Sequence, residues 1–222
     1  PLVSGNKWFK LRYYLEDALT SGKKGIVTFG GAWSNHIIAT AVACKMSGLG
    51  SIGIIRGEEP RQLSPTLIQA KEWGMELIFI SRSSYQHKEL PGIVDINNYA
   101  VVNEGGYGTK GARGAGTLLD YVKKEYTHYC CAVGTGTMMA GMINSVSADQ
   151  QVIGISVMKN NSALEGMVQT LVEERRNWQL HHDYSFGGYA KHTGALIDFM
   201  NGFYSHAGIP SDFVYTGKLF FA

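Results

Sequence analysis

The decisive stretch for the fold is Cys130-Cys131-Ala132-Val133-Gly134-Thr135-Gly136-Thr137-Met138-Met139-Ala140-Gly141, in which a glycine-rich loop joins an apolar run to a helical run. The residues before Gly134 predict a buried strand, and those after Thr137 predict a helix. Successive backbone N–H groups, the helix dipole and two threonine hydroxyls converge at such a loop. The stretch therefore predicts a strand, loop and helix unit that binds a phosphate through Gly134, Thr135, Gly136 and Thr137.

Two other interpretations fit the same loop. Gly134-x-Gly136-x-x-x-Ala140 also matches a dinucleotide-binding pattern, which would make the protein a nicotinamide-dependent oxidoreductase. Against this, the next predicted strand ends in Val157-Met158-Lys159 and carries no acidic residue to bind a ribose. A tight turn without any ligand is the third interpretation, and the stretch alone does not decide between them.

Apolar strands alternate with helices on both sides of this unit. We predict strands at 25–29, 51–55, 77–80, 100–102, 129–133 and 152–157. We predict helices that include Leu11–Leu19 and that span 37–46, 64–73, 115–125, 138–145 and 163–176. Strands that are apolar throughout and alternate with helices indicate an α/β fold with a parallel sheet covered on both faces. Ligands of such sheets bind beyond the carboxyl ends of the strands, here the loops at 30–36, 104–108 and 134–138.

Composition and charge exclude several classes of protein. The 222 residues are 45% hydrophobic and 17% charged, an ordinary globular balance for one large domain or two small ones. A net charge of +2 is too small to indicate nucleic acid or a membrane surface as a partner. Because the chain has no apolar run of about 20 residues, we expect no spanning helix, and from its first residues we expect no secretory signal.

Cysteine and histidine usage indicates a reducing compartment and no metal site. Cys44, Cys130 and Cys131 are an odd set with two adjacent members, which does not form a disulfide framework. We therefore expect a cytoplasmic protein. Neither C-x-x-C nor H-x-x-x-H occurs, and His181-His182-Asp183 is typical of a polar surface run, so we expect no metal.

A lysine lies near a predicted helix start in the stretch Ser4-Gly5-Asn6-Lys7-Trp8-Phe9-Lys10-Leu11. One face of this helix is apolar through Leu11, Leu15 and Leu19. Ser4 or Asn6 is suited to cap its start, and Gly22 to end it. The positive end of the helix dipole lowers the proton affinity of Lys7, which favours a nucleophilic amine. The alternative is a solvated lysine in the first turn of a helix.

A second polar loop, Gly30-Gly31-Ala32-Trp33-Ser34-Asn35-His36, follows a predicted strand and begins a predicted helix. It offers backbone N–H groups, a hydroxyl, an amide and an imidazole at a helix N-terminus, a combination suited to a substrate carboxylate. The alternative is a capped helix in which Ser34 or Asn35 serves only as the N-cap. The residues of this loop do not distinguish the two.

Taken together, these stretches resemble the fold-type II pyridoxal-phosphate enzymes. The matching residues are Gly5-Asn6-Lys7, Gly30-Gly31, Ser34-Asn35-His36, Gly134–Thr137, Tyr189 and Tyr215-Thr216-Gly217-Lys218. Their order along the chain is most similar to that of D-cysteine desulfhydrase and 1-aminocyclopropane-1-carboxylate deaminase. The resemblance implies pyridoxal 5'-phosphate as the cofactor. It also implies two parallel-sheet α/β domains with the cofactor in the cleft between them, as in the β subunit of tryptophan synthase.

The resemblance implies a set of cofactor-binding roles. Lys7 is expected to bind the cofactor covalently, and Lys10 to contact its phosphate. The loop from Gly134 to Thr137 would cradle the phosphate, and Asn35 would hydrogen-bond the 3-oxygen of the pyridine ring. These roles agree with the chemistry of the side chains, because the cofactor needs an amine, a phosphate site and a polar group beside the ring.

Further residues are expected near the substrate or the ring. Ser34 is expected to transfer a proton or to bind the substrate carboxylate. Tyr189 and Tyr215 are similar to two active-site tyrosines placed over the ring or near the substrate. Thr216 matches the residue that faces the pyridine nitrogen. Trp33 departs from the pattern, because a less bulky, polar residue is expected there in the D-cysteine enzyme.

The resemblance also sets expectations for the whole chain. A smaller domain is expected at 23–108, and a larger, cofactor-binding domain is expected from 1–22 joined to 109–222. Members of the family are usually homodimers. Because family members carry further segments on both sides of these motifs, we expect a chain that starts at Pro1 and stops at Ala222 to be part of a longer one.

Thr216 favours elimination over ring opening. The cyclopropane-opening deaminase carries a glutamate at this position, and the D-cysteine enzyme carries a threonine. A carboxylate raises the proton affinity of a nearby base and so strengthens the ring as an electron sink, whereas a neutral hydroxyl suffices when a thiolate leaves. We therefore expect β-elimination of a small amino acid similar to D-cysteine, giving pyruvate, ammonia and the leaving group. The alternatives are 1-aminocyclopropane-1-carboxylate deaminase activity, a nicotinamide-dependent oxidoreductase and a non-catalytic protein that keeps the cofactor.

Overall fold

The computed structural model describes residues 5–174 and 176–222. Its helices are α1 Lys7–Thr20, α2 Asn35–Met46, α3 Pro65–Glu72, α4 Arg82–Gln86, α5 Thr109–Gly116, α6 Thr137–Ser145, α7 Leu164–Leu171, α8 Gly194–Ala207 and α9 Thr216–Phe221. Its strands are β1 Gly25–Gly30, β2 Gly50–Arg56, β3 Met75–Ile80, β4 Tyr99–Val102, β5 His128–Val133, β6 Gln151–Ser156 and β7 Asn177–His181. Every pairing between these strands is parallel, which confirms the predicted α/β fold.

Contacts along the chain define two compact units, one that ends at Ala115 and one that begins at Gly116. The sheet of the first unit has the strand order β3-β2-β1-β4, and the sheet of the second has the order β5-β6-β7. This division differs from the expected domains, which placed 1–22 with 109–222. The expected domain boundaries therefore stay a prediction.

β1 is central to the first unit and is buried along its whole length. Ile26 packs with apolar residues of α1 and α2 on one face of the sheet. Val27 and Phe29 pack with Tyr85 on the other face. Because both faces are covered, the strand is apolar throughout rather than alternating. The carboxyl end of β1 leads directly into the loop that begins α2.

The second unit is built around α6, which is buried from Thr137 to Ile143. This helix packs against β5, β6 and α7. The apolar run Met138–Ile143 explains the burial, because a helix that is apolar on all sides belongs in a core. The core therefore fixes the end of β5, the glycine-rich loop and the start of α6 relative to one another.

The prediction of a helix at 115–125 is wrong in position. α5 ends at Gly116, and a 3-10 helix spans Thr117–Tyr121. Glycine has a low helix propensity, so the sequence did not predict α5. Close packing nevertheless requires glycine in this helix. A Cβ on Gly114 would lie 2.1 Å from the backbone oxygen of Phe9, so a side chain there would collide with α1.

The helix predicted at 163–176 is also too long. α7 ends at Leu171, and Asn177–His181 forms the edge strand β7 beside β6. β7 was not predicted, because its polar residues do not form a buried apolar run. An edge strand with one exposed face alternates polar and apolar residues, a weaker pattern than that of a fully buried strand.

Candidate active site

Lys7 is the first residue of α1, and its Nζ donates a hydrogen bond to Asn6 Oδ1 at 2.9 Å. The Asn6 side chain makes no capping bond to the helix, so the prediction that Asn6 caps α1 is wrong. Ser4, the other predicted cap, lies outside the described residues. Gly22 follows the helix with φ of 66°, as predicted for its end. The amine of Lys7 is thus held at the positive end of a helix by a neutral acceptor.

Lys10 lies one turn along α1 and is only 5% exposed. Its stem lies against the backbone of Gly106, where an added Cβ would come within 3.3 Å of Lys10 Cβ and 3.7 Å of His36 Cε1. Lys10, Gly106 and His36 therefore form one packed group within the first unit. The role of Lys10 as a phosphate ligand stays a prediction.

His36 is buried, and its hydrogen bonds fix its tautomer. Its Nε2 lies 2.8 Å from Thr28 Oγ1, which donates its own proton to Val102 O at 2.8 Å. Nε2 must therefore carry a proton and donate to Thr28, which leaves Nδ1 as an acceptor. Burial, together with the charges of Lys7 and Lys10, lowers the pKa of His36 to about 3. The first unit thus holds a neutral imidazole near two lysines.

Ser34 caps α2, as the structural alternative predicted. Its Oγ accepts hydrogen bonds from His36 N at 3.3 Å and Ile37 N at 3.4 Å. Both bonds use the oxygen as an acceptor, so the Ser34 proton is still available for a ligand. Asn35, the first residue of α2, is exposed, and Trp33 is 65% exposed. A capping role and a role at a substrate are therefore compatible in Ser34.

The glycine-rich loop has the features of an anion cradle. Gly136 has φ of 79° and precedes α6 without a side-chain cap, so the first N–H groups of that helix are not used by a cap. A Cβ on Gly136 would lie 2.8 Å from Val168 Cγ2. The hydroxyls of Thr135 and Thr137 are 2.9 Å apart. Backbone donors, hydroxyl groups and the helix dipole fit a phosphate at this loop.

The two predicted tyrosines meet beside this loop. The rings of Tyr189 and Tyr215 pack edge to face, with centroids 6.0 Å apart. A Cβ on Gly134 would lie 3.4 Å from Tyr215 Cε1 and 3.6 Å from Tyr215 Oη. The second unit thus brings Gly134, Tyr189 and Tyr215 together, as expected of residues that share a site.

Asp212, which the sequence analysis did not select, organises the start of α9. Its carboxylate accepts hydrogen bonds from the backbone N–H of Val214 at 2.9 Å, Tyr215 at 2.7 Å and Thr216 at 3.1 Å. Thr216 Oγ1 also donates to Asp212 Oδ2 at 2.6 Å and accepts from Asp212 N at 2.8 Å. Burial acts to raise the pKa of Asp212, but these hydrogen bonds outweigh it and lower the pKa. An aspartate three residues before Tyr215, a residue type common at helix starts, was the available signal.

Lys218, the last residue of the Tyr215–Lys218 motif, has a structural role that the sequence did not reveal. It is fully buried, and its Nζ donates to Ser185 O and Gly188 O, each at 2.7 Å. Burial lowers its pKa, and the charge of Asp212 opposes that effect. The turn that it holds carries Tyr189 and has positive φ on both sides of it, at Phe186, Gly187, Gly188 and Ala190. Lysines are normally exposed, so nothing in the sequence indicated a buried one.

The histidines that were predicted to bind no metal lie in the run His181-His182-Asp183. His182 Nε2 lies 2.7 Å from Glu165 Oε1, which makes this histidine part of an ion pair or hydrogen bond. Within residues 5–174 and 176–222, no three His, Cys, Asp or Glu side chains are grouped to hold a metal ion. Over the same residues, no helix combines the length and apolar character needed to cross a bilayer.

Parallel α/β units with an amine at one helix start and an anion cradle at another contain the groups that a pyridoxal-phosphate enzyme needs. The chain belongs to the family of pyridoxal-phosphate dependent enzymes, whose family model matches residues 2–222. This membership confirms the predicted cofactor and fold class and favours pyridoxal phosphate over a dinucleotide.

Three known proteins illustrate the relationship. A Pyrococcus abyssi protein provisionally named 1-aminocyclopropane-1-carboxylate deaminase is 32% identical over 99% of this chain and 74% of its own length. The mitochondrial bifunctional D-cysteine desulfhydrase/1-aminocyclopropane-1-carboxylate deaminase of Arabidopsis thaliana is 24% identical over 97% of this chain and 62% of its own. The crystal structure of an ACC deaminase homologue superposes with a TM-score of 0.82 and 29% identity, over 98% of this chain and 73% of that one. These relatives support the predicted enzyme class, a pyridoxal-phosphate-dependent lyase.

Proposed function

We propose that the protein eliminates the β-substituent of a small D-amino acid such as D-cysteine, releasing pyruvate, ammonia and the leaving group. The observation that carries this proposal is the state of Thr216. Its hydroxyl proton is donated to Asp212 at 2.6 Å, so Thr216 itself presents a neutral oxygen next to Tyr215. The charge of Asp212 is offset locally, because the carboxylate also accepts three backbone N–H bonds.

A neutral group at this position favours the reaction that needs the weaker electron sink. A carboxylate beside a ring nitrogen raises the proton affinity of that nitrogen and strengthens the ring as an electron sink. Opening a cyclopropane requires a strong sink, since the reaction has no good leaving group. Loss of a thiolate requires less, because the leaving sulfur carries the electrons away once the α-proton is gone. Thr216 therefore favours elimination.

Lys7 is the proposed covalent residue. Pyridoxal phosphate, when bound, supplies an aldehyde that bonds to amines and a ring that takes up electrons from the substrate α-carbon. The helix N-terminus lowers the proton affinity of Lys7, and Asn6 accepts a hydrogen bond from its Nζ at 2.9 Å. The helix N-terminus disfavours the charged amine, and the hydrogen bond to Asn6 holds the amine in position for a covalent role.

The remaining proposed cofactor contacts come from the glycine-rich loop, Lys10 and Asn35. Gly134, Thr135, Gly136 and Thr137 would hold the phosphate through N–H and hydroxyl donors. Lys10 would add a positive charge, and Asn35 an amide for the 3-oxygen of the ring. The glycine-rich loop fits this role best, since its left-handed Gly136 and uncapped helix start leave donors for an anion.

Ser34 and Tyr215 are proposed to act on the substrate, with Tyr189 packed against Tyr215. Ser34 has its hydroxyl proton available, and so it can donate to a substrate carboxylate or take part in a proton transfer. Tyr215 is held at both its backbone and its ring, by Asp212 and by Tyr189. A rigid hydroxyl next to the phosphate loop is suited to proton transfer at a bound amino acid.

We further propose that the protein works as a cytoplasmic homodimer without nucleic acid or membrane partners. Among the described residues, the three cysteines form no disulfide, and Cys44 and Cys131 are buried while Cys130 is exposed. Burial raises the pKa of Cys44 to about 12, which makes that thiol unreactive. Free thiols with one on the surface suit a reducing compartment.

1-Aminocyclopropane-1-carboxylate deaminase activity is the second candidate. The Pyrococcus abyssi relative carries that name, and the Arabidopsis thaliana relative carries both names. Relatives with both activities show that sequence similarity alone does not separate the two substrates. The residue that we expect to separate them is Thr216.

Substrate turnover distinguishes the candidates. The protein, loaded with pyridoxal phosphate, is assayed for pyruvate from D-cysteine, β-chloro-D-alanine and D-serine, and for 2-oxobutanoate from 1-aminocyclopropane-1-carboxylate. We expect pyruvate from the β-substituted D-amino acids and little 2-oxobutanoate, with Lys7→Ala as the inactive control. Turnover of only the cyclopropane substrate would overturn the argument from Thr216.

A further inference from the structure

A basic cavity of about 540 Å³ lies in the first unit, and none of the residues that line it has a role assigned above. Its lining consists of Arg56, Arg82, Tyr85, Gln86 and Lys88. Arg56 ends β2, and Arg82 begins α4, directly after β3 and Ser81. The cavity therefore opens beyond the carboxyl ends of two parallel strands, the edge at which such sheets bind ligands.

The charges around this cavity are not balanced. Lys88 Nζ pairs with Glu104 Oε2 at 2.6 Å. In the part of the chain that the structure describes, neither Arg56 nor Arg82 has a carboxylate within the 4.0 Å of an ion pair. Two guanidinium groups that line one cavity repel each other unless an anion lies between them. Arginine also offers a planar fork of donors that matches carboxylate and phosphate oxygens.

The floor of the cavity is rigid. Tyr85 is 4% exposed, and its ring packs edge to face on Phe29 with centroids 6.0 Å apart. Lys88 Nζ lies 3.9 Å above the Tyr85 ring, and Arg56 Cζ lies 5.8 Å from it. Lys88 adopts φ of 55°, a strained conformation for a residue with a side chain. Strain of this kind is concentrated at ligand sites, where packing holds groups in place before the ligand arrives.

We propose that this cavity binds an oxyanion, the carboxylate or phosphate group of a small ligand, through Arg56 and Arg82, with Gln86 as a further donor. The oxyanion has two possible sources. Arg56 Nη2 would lie 3.8 Å from a Cβ on Gly31, in the loop that leads to Ser34, so the group can belong to the side chain of an amino-acid substrate. It can also be a separate small anion. Binding itself does not depend on the reaction proposed above.

Anion titration of the cofactor-free protein tests the proposal without measuring activity. Inorganic phosphate and malonate are added at constant ionic strength, and the arginine Nε–H signals are followed by NMR. We expect saturable shifts in the wild-type protein and at least a tenfold weaker affinity in the double variant Arg56→Gln/Arg82→Gln. Arg61→Gln, which changes an exposed arginine outside the cavity lining, is the matched control and should bind like the wild type.

Two results would overturn the proposal: shifts that rise linearly without saturation, and an affinity that is equal in the wild type and the double variant. Arg56→Lys keeps the charge but removes the fork, and it should weaken binding less than Arg56→Gln. O-phospho-D-serine separates the two sources. If the group belongs to the substrate, this compound displaces phosphate at a much lower concentration than methyl phosphate does, and D-serine does not displace it. If the site takes a separate anion, O-phospho-D-serine and methyl phosphate displace phosphate at similar concentrations.

Discussion

Lys7 and Lys10 are one helical turn apart but occupy different environments. Lys7 is half-buried with its amine on Asn6, whereas Lys10 is 5% exposed with its stem packed on Gly106. We expect Lys7→Ala to abolish covalent attachment of pyridoxal phosphate, because its amine lies at the start of α1 and is held there by the neutral acceptor Asn6. Lys10→Ala should retain attachment but bind the cofactor more weakly. Borohydride reduction followed by peptide mass analysis locates the attachment.

Lys10→Ala is the matched control for this experiment, since it removes a lysine from the same helix. Trapped cofactor on Lys10 or on the buried Lys218 would show that the assignment to Lys7 is wrong. Equal retention of cofactor by both single variants would also contradict it.

Ser34 caps α2 and keeps its hydroxyl proton available for a ligand. Its substitution should therefore lower both kcat and the free energy of unfolding. Ser34→Ala should lower kcat by about 10²-fold, the scale of a proton-transfer group. It should also lower the free energy of unfolding by about 1 kcal/mol, the usual cost of a lost N-cap. Steady-state kinetics and urea denaturation measure the two effects independently.

Ser81→Ala provides the matched control, because Ser81 caps α4 through Ser84 N at 3.1 Å and has no assigned role in the reaction. This variant should lose stability and keep its kcat. A Ser34→Ala protein with normal kcat and reduced stability would show that Ser34 serves only as the N-cap of α2.

His36 makes stability depend on pH. Burial lowers its folded-state pKa from 6.5 to about 3, with Lys7 and Lys10 adding to the effect. Between these two values the unfolded chain binds a proton that the folded protein does not bind. The free energy of unfolding should therefore fall as the pH drops from about 6.5 toward 3, by at most about 1.4 kcal/mol per pH unit. Above pH 6.5 this contribution is constant.

Urea denaturation of wild type and His36→Gln at pH 7, 6 and 5 measures this slope. The glutamine amide can still donate to Thr28, so the variant should fold and show a flatter profile. His206→Gln, which changes an exposed imidazole of α8, should keep the wild-type slope. Identical slopes for His36→Gln and wild type would contradict the neutral state of His36. The sequence could not predict that state, because the accepting Val102 is 74 residues from Thr28.

At the scale of elements, Lys218 joins α9 to the turn that carries Tyr189. Lys218→Met keeps most of the side-chain volume but leaves two carbonyls without their donor, at a cost of about 1–3 kcal/mol for each unsatisfied group. We expect faster amide hydrogen exchange in residues 185–191 and a lower kcat. Exchange followed by mass spectrometry reports on the turn directly and does not depend on turnover.

Lys124→Met, which changes an exposed lysine of the same unit, is the control and should exchange like the wild type. If exchange in 185–191 is unchanged in Lys218→Met, the lysine does not hold the turn. Restoration of kcat by Lys218→Arg would show that a positive charge at this position matters beyond packing.

The elements that the sequence predicted well are those whose signal is local. β1 and α6 are apolar along their length, and their burial follows directly. α5 was missed, because its glycines disfavour a helix locally while close packing against Phe9 demands them. β7 was missed, because an edge strand carries a weak pattern. In each failure a contact distant along the chain outweighed local propensity.

At the scale of the whole molecule, the order of motifs predicted the family, but the sequence did not reveal their supporting groups. Lys7, Ser34 and the glycine-rich loop were recognisable from their positions at strand ends and helix starts. Asp212 and Lys218 were not, since their roles depend on hydrogen bonds that only the folded chain makes. Residue types that are usually solvated carry no signal when the fold buries or pairs them.

The surface of α8 and α9 provides a test of the proposed homodimer. Phe220 is 43% exposed and stacks on Phe203 with centroids 4.7 Å apart, and Tyr204 is 58% exposed. Exposed aromatic residues on neighbouring helices are typical of an interface, since burying them removes apolar surface from water. We expect the protein to have twice the chain mass by light scattering at about micromolar concentration, the range of a modest interface. Phe220→Lys should yield a monomer with unchanged secondary structure, because the new charge would be buried at the interface.

Tyr121→Lys changes a tyrosine that is 71% exposed elsewhere in the second unit, and this variant should stay dimeric. A wild-type protein that stays monomeric well above that concentration would contradict the dimer, and a Phe220→Lys dimer would place its interface elsewhere.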